Sequence, residues 1–174
     1  MSNEEKTKSA ETAFVCYLIE RINGKKGKKP DTGFSASLRR ADNEATAYQS
    51  WEYLANWCDL ENEYRRKPYA LIAAALARAK PEKNGYLGIG QAISACYDFD
   101  KNSDPARSKL RRILACKNAV EACEVLRPVL NLLAAKSVKI DYARLLADLL
   151  YFNDEKRTRW AADFYGRPKE EENA

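Results

Sequence analysis

The stretch Ser103-Asp-Pro-Ala-Arg-Ser-Lys-Leu-Arg-Arg-Ile-Leu114 decides the fold class of this 174-residue chain. Ser103 or Asp104 can cap a helix, and Pro105 fits the first helical turn. At 100° per residue, the apolar and the basic side chains separate onto opposite faces: Leu110, Ile113 and Leu114 against Arg107, Lys109, Arg111 and Arg112. The stretch therefore predicts an amphipathic helix over residues 106–116, with one face in the core and one wholly basic face.

Apolar residues recur at helical spacing along most of the remaining chain. This periodicity predicts a short segment at 35–40 and helices over residues 10–22, 44–58, 68–79, 87–97, 118–136, 140–151 and 154–165. We expect Asp42 or Asn43 to cap the helix over 44–58, and Pro68 to lie in the first turn of the next one. Seven glycines and six prolines are too few for a turn-rich β-sandwich. The prediction is an all-α fold of about eight or nine helices in two packed bundles.

The polar, turn-rich segment at 98–104 is the candidate domain boundary. It divides the chain into an N-terminal helical bundle over residues 1–100 and a C-terminal helical bundle over residues 101–166. A basic loop at 24–33 belongs to the first bundle. Residues 167–174 are expected to form an acidic tail.

Two residue counts exclude most catalytic chemistry. The chain has no histidine, which removes Ser-His-Asp and Cys-His catalysis and the usual zinc and iron ligands. Its five cysteines are odd in number and form no CxxC, so we expect reduced, partly buried thiols. Gly85-Tyr-Leu-Gly-Ile-Gly90 lacks the spacing of a phosphate-binding loop and favours a closely packed helix entrance. We expect no enzyme activity, no metal, no cofactor and no small-molecule substrate.

No apolar run approaches the roughly 20 residues that span a bilayer. The first residues, Met1-Ser-Asn-Glu-Glu-Lys6, are charged and lack the apolar core of a signal peptide. These features predict a cytoplasmic protein without a membrane partner.

Basic residues are concentrated in two zones of the chain. Residues 21–40 carry seven basic side chains against Asp31 alone, and residues 105–160 carry twelve against six acidic ones, although the net charge is only +5. Such zones favour a surface for a polyanion. Arginine suits phosphate through its planar fork of donors, and no Asn or Gln stands at base-reading offsets. The candidate nucleic-acid-binding residues are Lys28, Lys29, Arg39, Arg40, Lys109, Arg111, Arg112, Arg127, Lys156 and Arg157.

Three segments together resemble one protein family. Phe34-Ser-Ala-Ser-Leu-Arg-Arg-Ala41, Leu87-Gly-Ile-Gly-Gln-Ala-Ile93 and Ser108-Lys-Leu-Arg-Arg-Ile-Leu114 are similar to the small subunit of the type I-E CRISPR Cascade complex, the CasB family. The order of later features, from Leu126-Arg127 to the final helix with Trp160 and Phe164, is similar too. The resemblance covers roughly residues 10–165.

The resemblance implies a non-catalytic, all-helical protein that takes part in antiviral defence. Its partners would be the backbone and large subunits of Cascade, a second copy of itself, the crRNA and the target DNA. It would help to hold the R-loop through sequence-independent contacts to the displaced strand and the guide–target duplex. Matching basic positions carry over as Arg39 and Arg40, Arg111 and Arg112, Arg127, and Lys156 with Arg157. Lys28 and Lys29 are not carried over from the resemblance; they are candidates because of the positive charge of their loop.

Two other functions fit the same sequence. A helical adaptor in an unrelated complex would use its basic faces against acidic protein partners and would be indifferent to nucleic acid. A stand-alone nucleic-acid-binding protein would bind polyanions tightly as a purified monomer.

Overall fold

Nine α-helices and one 3-10 helix form the computed structural model, which describes residues 8–166. In chain order they are α1 (Ala10–Asn23), α2 (Thr32–Leu38), the 3-10 helix (Ala47–Ser50), α3 (Trp51–Leu54), α4 (Glu63–Ala79), α5 (Ile89–Ala95), α6 (Asp104–Leu114), α7 (Ala119–Ala135), α8 (Tyr142–Leu150) and α9 (Asp154–Tyr165). Within the described range the only β-structure is an isolated bridge between Leu87 and Ile140. The predicted all-α fold is confirmed. The predicted acidic tail at 167–174 lies outside the described residues.

Polar side chains begin most of these helices. The side chain of the residue before the helix accepts a backbone N–H of the first turn in seven of them: Ser9, Asp31, Asn62, Ser103, Asn118, Asp141 and Asn153. This interaction satisfies a donor that has no partner inside the helix. Of the two predicted caps, Ser103 and Asp104, Ser103 is the one that caps α6, and the predicted position of Pro105 in the first turn is confirmed.

Helix α4 lies at the centre of the molecule. It contacts α1, α2, α3, α7 and α8, while α5 packs against α6, α7 and α9. The apolar faces of these helices merge into one buried core that includes Phe14, Leu76, Leu126, Leu146 and Trp160. Helices α1 and α4 thus contact helices from the other half of the chain, and the division at residue 100 stays a prediction.

The predicted helix over 44–58 is wrong. The segment forms only the 3-10 helix and the one-turn α3. Tyr48 and Trp51 are exposed while Leu54 is buried, so the apolar spacing marks a core face only in part. Thr46 and Asn43 instead bond backbone groups nearby, which competes with a continuous helix. Asp42 caps no helix and forms ion pairs with two arginines.

The predicted start of the helix over 68–79 is also wrong. Helix α4 begins five residues earlier, at Glu63, where the Asn62 side chain accepts the Tyr64 N–H. Pro68 therefore lies inside the helix rather than in its first turn. Its ring nitrogen cannot donate to the Tyr64 carbonyl, yet the helix continues through it because the flanking bonds and the buried apolar residues hold it.

The glycines at 85–90 serve close packing, as the sequence predicts. A Cβ on Gly90 would overlap the carbonyl oxygen of Trp160, and one on Gly85 would overlap the carbonyl of Lys139. The first contact brings α5 directly against α9. The second joins the chain before α5 to the segment that precedes α8.

All five cysteines are free thiols. Burial raises the pKa of Cys58 to about 11 and that of Cys123 to about 12, which keeps both protonated and unreactive near neutral pH. Among residues 8–166 no cluster of Cys, Asp and Glu could hold a metal ion. In the same range no helix is both long and apolar enough to cross a bilayer.

Candidate nucleic-acid interface

Helix α6 presents two arginines to solvent. Leu110 and Ile113 are buried in the core, whereas Arg111 and Arg112 on the other side are exposed. Neither guanidinium group forms a hydrogen bond or ion pair with another residue in the range 8–166. All of their N–H donors are therefore available to an external acceptor, for which phosphate oxygens have the matching geometry.

Lys109, on the same helix, has a different environment. Its side chain is half-buried, and its Nζ lies 5.5 Å from the centre of the Tyr97 ring. Lys136 approaches the same ring at 5.1 Å and donates to the Cys96 carbonyl at 2.7 Å. Lys109 therefore contributes positive charge near the end of α5 but is partly held by Tyr97.

The lysine-rich loop between α1 and α2 is folded back on itself. The Lys28 N–H donates to the Lys25 carbonyl at 3.0 Å, and the Asp31 N–H donates to the Arg21 carbonyl at 3.1 Å. Gly24 permits this turn, since its φ is +76° and a Cβ would overlap the Lys28 carbonyl. Lys28 and Lys29 are exposed on the rim of a concavity of about 530 Å³.

One ion pair fixes the base of this loop. Arg21 Nε lies 2.9 Å from Asp31 Oδ2, and the Arg21 guanidinium stacks 4.0 Å from the centre of the Phe34 ring. The Phe34 backbone N–H and the Arg21 guanidinium both stabilise the carboxylate of Asp31, so they lower its pKa. Lys25 is paired with Glu20, whereas Lys26, Lys28 and Lys29 of the loop have no side-chain partner in the described part of the chain.

Arg39 and Arg40 are exposed but bonded within the protein. Arg39 Nε donates to the Ala77 carbonyl at 3.2 Å, at the end of α4. Arg40 Nη1 donates to Gln49 Oε1 at 2.7 Å. In each side chain the remaining N–H groups have no partner in the described part of the chain.

Arg127 belongs to an ion network around a buried carboxylate. Its Nε lies 3.3 Å from Asp42 Oδ2, and only 4% of the Asp42 side chain is exposed. Arg78 also binds Asp42, with 3.2 Å between Nη1 and Oδ1 and 2.5 Å between Nη2 and Oδ2. Sequence reasoning missed both Asp42 and Arg78 as site residues, because they lie 36 residues apart and no local pattern connects them.

Lys156 and Arg157 are neighbours with different roles in the structure. The Lys156 ammonium group has no hydrogen bond or ion pair among residues 8–166. Arg157 Nη1 donates to the carbonyls of Leu114 at 3.0 Å and Cys116 at 3.2 Å, and its Nη2 binds Asp154. Arg157 therefore caps the C-terminal end of α6 and joins it to α9.

The candidate cations thus form two groups. The unpaired cations have no partner among residues 8–166: Lys28, Lys29, Arg111, Arg112 and Lys156. The anchored cations each contact a group inside the protein: Arg39, Arg40, Lys109, Arg127 and Arg157. Together the fold and this surface define an all-helical protein whose exposed basic side chains suit a polyanion.

Comparison with known proteins identifies the family. The family model of the CRISPR-associated protein Cse2 matches residues 35–165, and the chain belongs to this family. A search of curated protein sequences found no significant match.

Solved structures share the fold. The Cse2-family protein from Thermus thermophilus is 23% identical with a TM-score of 0.70, covering 92% of this chain and 100% of its own. A chain of a CRISPR RNA-guided surveillance complex is 20% identical with a TM-score of 0.70, covering 90% of this chain and 91% of its own. CasB from Thermobifida fusca is 15% identical with a TM-score of 0.64, covering 92% of this chain and 100% of its own.

Proposed function

We propose that this chain is the non-catalytic small subunit of a type I-E Cascade surveillance complex. In that role it stabilises the crRNA-guided R-loop through sequence-independent contacts to the displaced DNA strand and the guide–target duplex. Family membership and the likeness to a chain of a CRISPR RNA-guided surveillance complex support this assembly. Its partners would be the backbone and large subunits, a second copy of the chain, crRNA and target DNA.

The observation that carries the proposal is the exposed face of α6. Arg111 and Arg112 project from a helix whose opposite side is buried in the core, and neither is neutralised by a described acidic residue. A helix fixed in this way holds the backbone of both arginines in place, so that only their side chains become ordered when they meet phosphates. Lys28, Lys29 and Lys156 extend the same unpaired positive surface to other elements.

The mechanism is electrostatic retention of a nucleic-acid strand. R-loop formation exchanges one duplex for another of similar stability, so modest contacts to the backbone shift its balance. Each cation that neutralises a phosphate releases condensed counterions, which favours binding and makes it dependent on salt. Contacts of this kind read no sequence, which suits a subunit that must accept any target.

Purification of the tagged chain from its own cells tests the assembly. We expect a large complex at moderate salt that contains one uniform small RNA, sensitive to RNase and resistant to DNase. A monomer that binds nucleic acid tightly would instead support a stand-alone binding protein. A complex without RNA would support an adaptor, and either result would contradict the proposal.

A further inference from the structure

Arg39 and Arg127 share an unusual mode of anchoring. Each uses its Nε atom for an internal contact: Arg39 with the Ala77 carbonyl at 3.2 Å and Arg127 with Asp42 Oδ2 at 3.3 Å. The Nη1 and Nη2 groups of both side chains have no partner among residues 8–166. The Nε side of each guanidinium therefore contacts a group of the protein, by a hydrogen bond in Arg39 and by an ion pair in Arg127, while the Nη donors are left for another acceptor.

One buried ion pair connects these two arginines. Arg78 Nη1 donates to the backbone carbonyl of Arg39 at 3.3 Å and to Asp42 Oδ1 at 3.2 Å. The Asp42 carboxylate in turn faces Arg127. The end of α2, helix α4 and helix α7 thus meet at one pair of charged side chains.

Stability alone is a poor explanation for the ion pair between Asp42 and Arg78. Only 4% of the Asp42 side chain is exposed, and Arg78 Nε is buried without a hydrogen-bond partner. The cost of removing such charges from water offsets much of their attraction, so apolar residues of the same volume often stabilise a fold as well or better. What apolar residues cannot do is orient a guanidinium group.

We infer that Asp42 and Arg78 are positioning residues that hold Arg39 and Arg127 as a preformed clamp for the phosphates of one nucleic-acid strand. The inference rests on the proposed function, since it assigns supporting residues to the proposed interface. Asp42 touches no nucleic acid in this arrangement. It pairs with the Nε side of Arg127 at 3.3 Å and leaves the Nη1 and Nη2 groups without a partner among residues 8–166.

The sign of the Asp42→Asn effect tests the inference. This change removes a negative charge, so a purely electrostatic role for Asp42 predicts tighter retention of DNA. A positioning role predicts the opposite: we expect the R-loop held by the purified complex to dissociate about two- to fivefold faster, the range of one ion pair whose arginine is partly exposed. Glu124→Gln is the matched control, because Glu124 is exposed on α7, three residues from Arg127, and has no described ion partner. Glu124→Gln should leave dissociation unchanged or slow it.

A second set of variants keeps the test decisive if Asp42→Asn fails to fold. Arg127 is 44% exposed, so Arg127→Lys should fold normally while it removes the Nε contact and the planar fork. We expect Arg127→Lys to lose most of the R-loop retention that Arg127→Ala loses, while the melting temperature of the subunit stays unchanged. In the Arg127→Ala background, Asp42→Asn should add little further loss from this contact.

Failure of the inference is distinct from failure of the proposed function. If Arg111→Ala with Arg112→Ala accelerates dissociation but Asp42→Asn slows it or Arg127→Lys behaves as the wild type, the clamp is overturned and the R-loop role stands. If none of these variants changes dissociation, the R-loop role itself is overturned. If the losses of R-loop retention caused by Asp42→Asn and by Arg127→Ala add fully in the double variant, the positioning role is also rejected.

Discussion

Helices α6 and α9 both carry a pair of neighbouring basic residues, yet the side chains of the two pairs differ in their contacts with the rest of the protein. Arg111 and Arg112 of α6 are exposed and have no partner in the described range, whereas Arg157 of α9 is bonded to two carbonyls and a carboxylate. Of the second pair, Lys156 alone lacks a partner within residues 8–166. A basic pair in a sequence therefore indicates a charged surface, but the tertiary partners decide whether its donors remain available.

The largest effect that separates the two pairs should be on stability. Arg157→Ala leaves the carbonyls of Leu114 and Cys116 without their donor. We expect it to lower the free energy of unfolding by about 2 kcal/mol, the range for hydrogen bonds to a charged group. Urea denaturation monitored by circular dichroism would measure this loss.

Lys156→Ala is the matched control for that change, since it removes the neighbouring charge from a side chain that has no partner in the described range. Its unfolding free energy should equal that of the wild type. Equal losses in the two variants would contradict the division into anchored and unpaired cations.

A smaller effect should distinguish two lysines of the same loop. Lys29 is unpaired and Lys25 is bonded to Glu20. If the loop meets a phosphate, Lys29→Ala should reduce the salt dependence of DNA retention by about 0.7–0.9 in the slope of log K against log salt, for one lost contact. Lys25→Ala should reduce it less. Equilibrium binding constants of the R-loop complex at several salt concentrations would measure both slopes, and identical slopes would remove the loop from the interface.

The smallest expected effect concerns the anchor of that loop. Because the folded state lowers the pKa of Asp31 below its ordinary 3.8, the ionised carboxylate stabilises the fold. This contribution is present above pH 3.8 and is lost as the pH falls through the lowered value. Asp31→Asn keeps a capping side chain but not the charge. The difference in unfolding free energy between the two proteins should be constant from pH 7 to 5 and shrink below 3.8. A difference that does not shrink in acid would contradict this origin.

The sequence predicts the fold well where apolar spacing and a cap agree. Helix α9 has the predicted bounds 154–165, and α6 begins at the predicted Ser103 cap. The helix over 44–58 is wrong because only part of the apolar spacing there faces the core: Leu54 is buried, whereas Tyr48 is 60% exposed. Periodicity alone cannot tell an exposed aromatic stripe from a buried one.

The candidate site is only partly accessible to the same reasoning. Helical periodicity correctly placed Arg111 and Arg112 opposite the core, since both sides of α6 are encoded within one local segment. The anchoring of Arg39 by Ala77, and of Arg127 by Asp42, depends on contacts between distant segments. Those contacts arise only when α2, α4 and α7 meet, and they cannot be deduced from local spacing.

The most direct test of the account is the lifetime of the R-loop in complexes that carry Arg111→Ala and Arg112→Ala together. The account predicts faster dissociation of the R-loop and an unchanged melting temperature of the subunit. For two lost phosphate contacts, the slope of log K against log salt should become shallower by about 1.4–1.8. A dissociation rate and salt slope equal to those of the wild-type complex would contradict it.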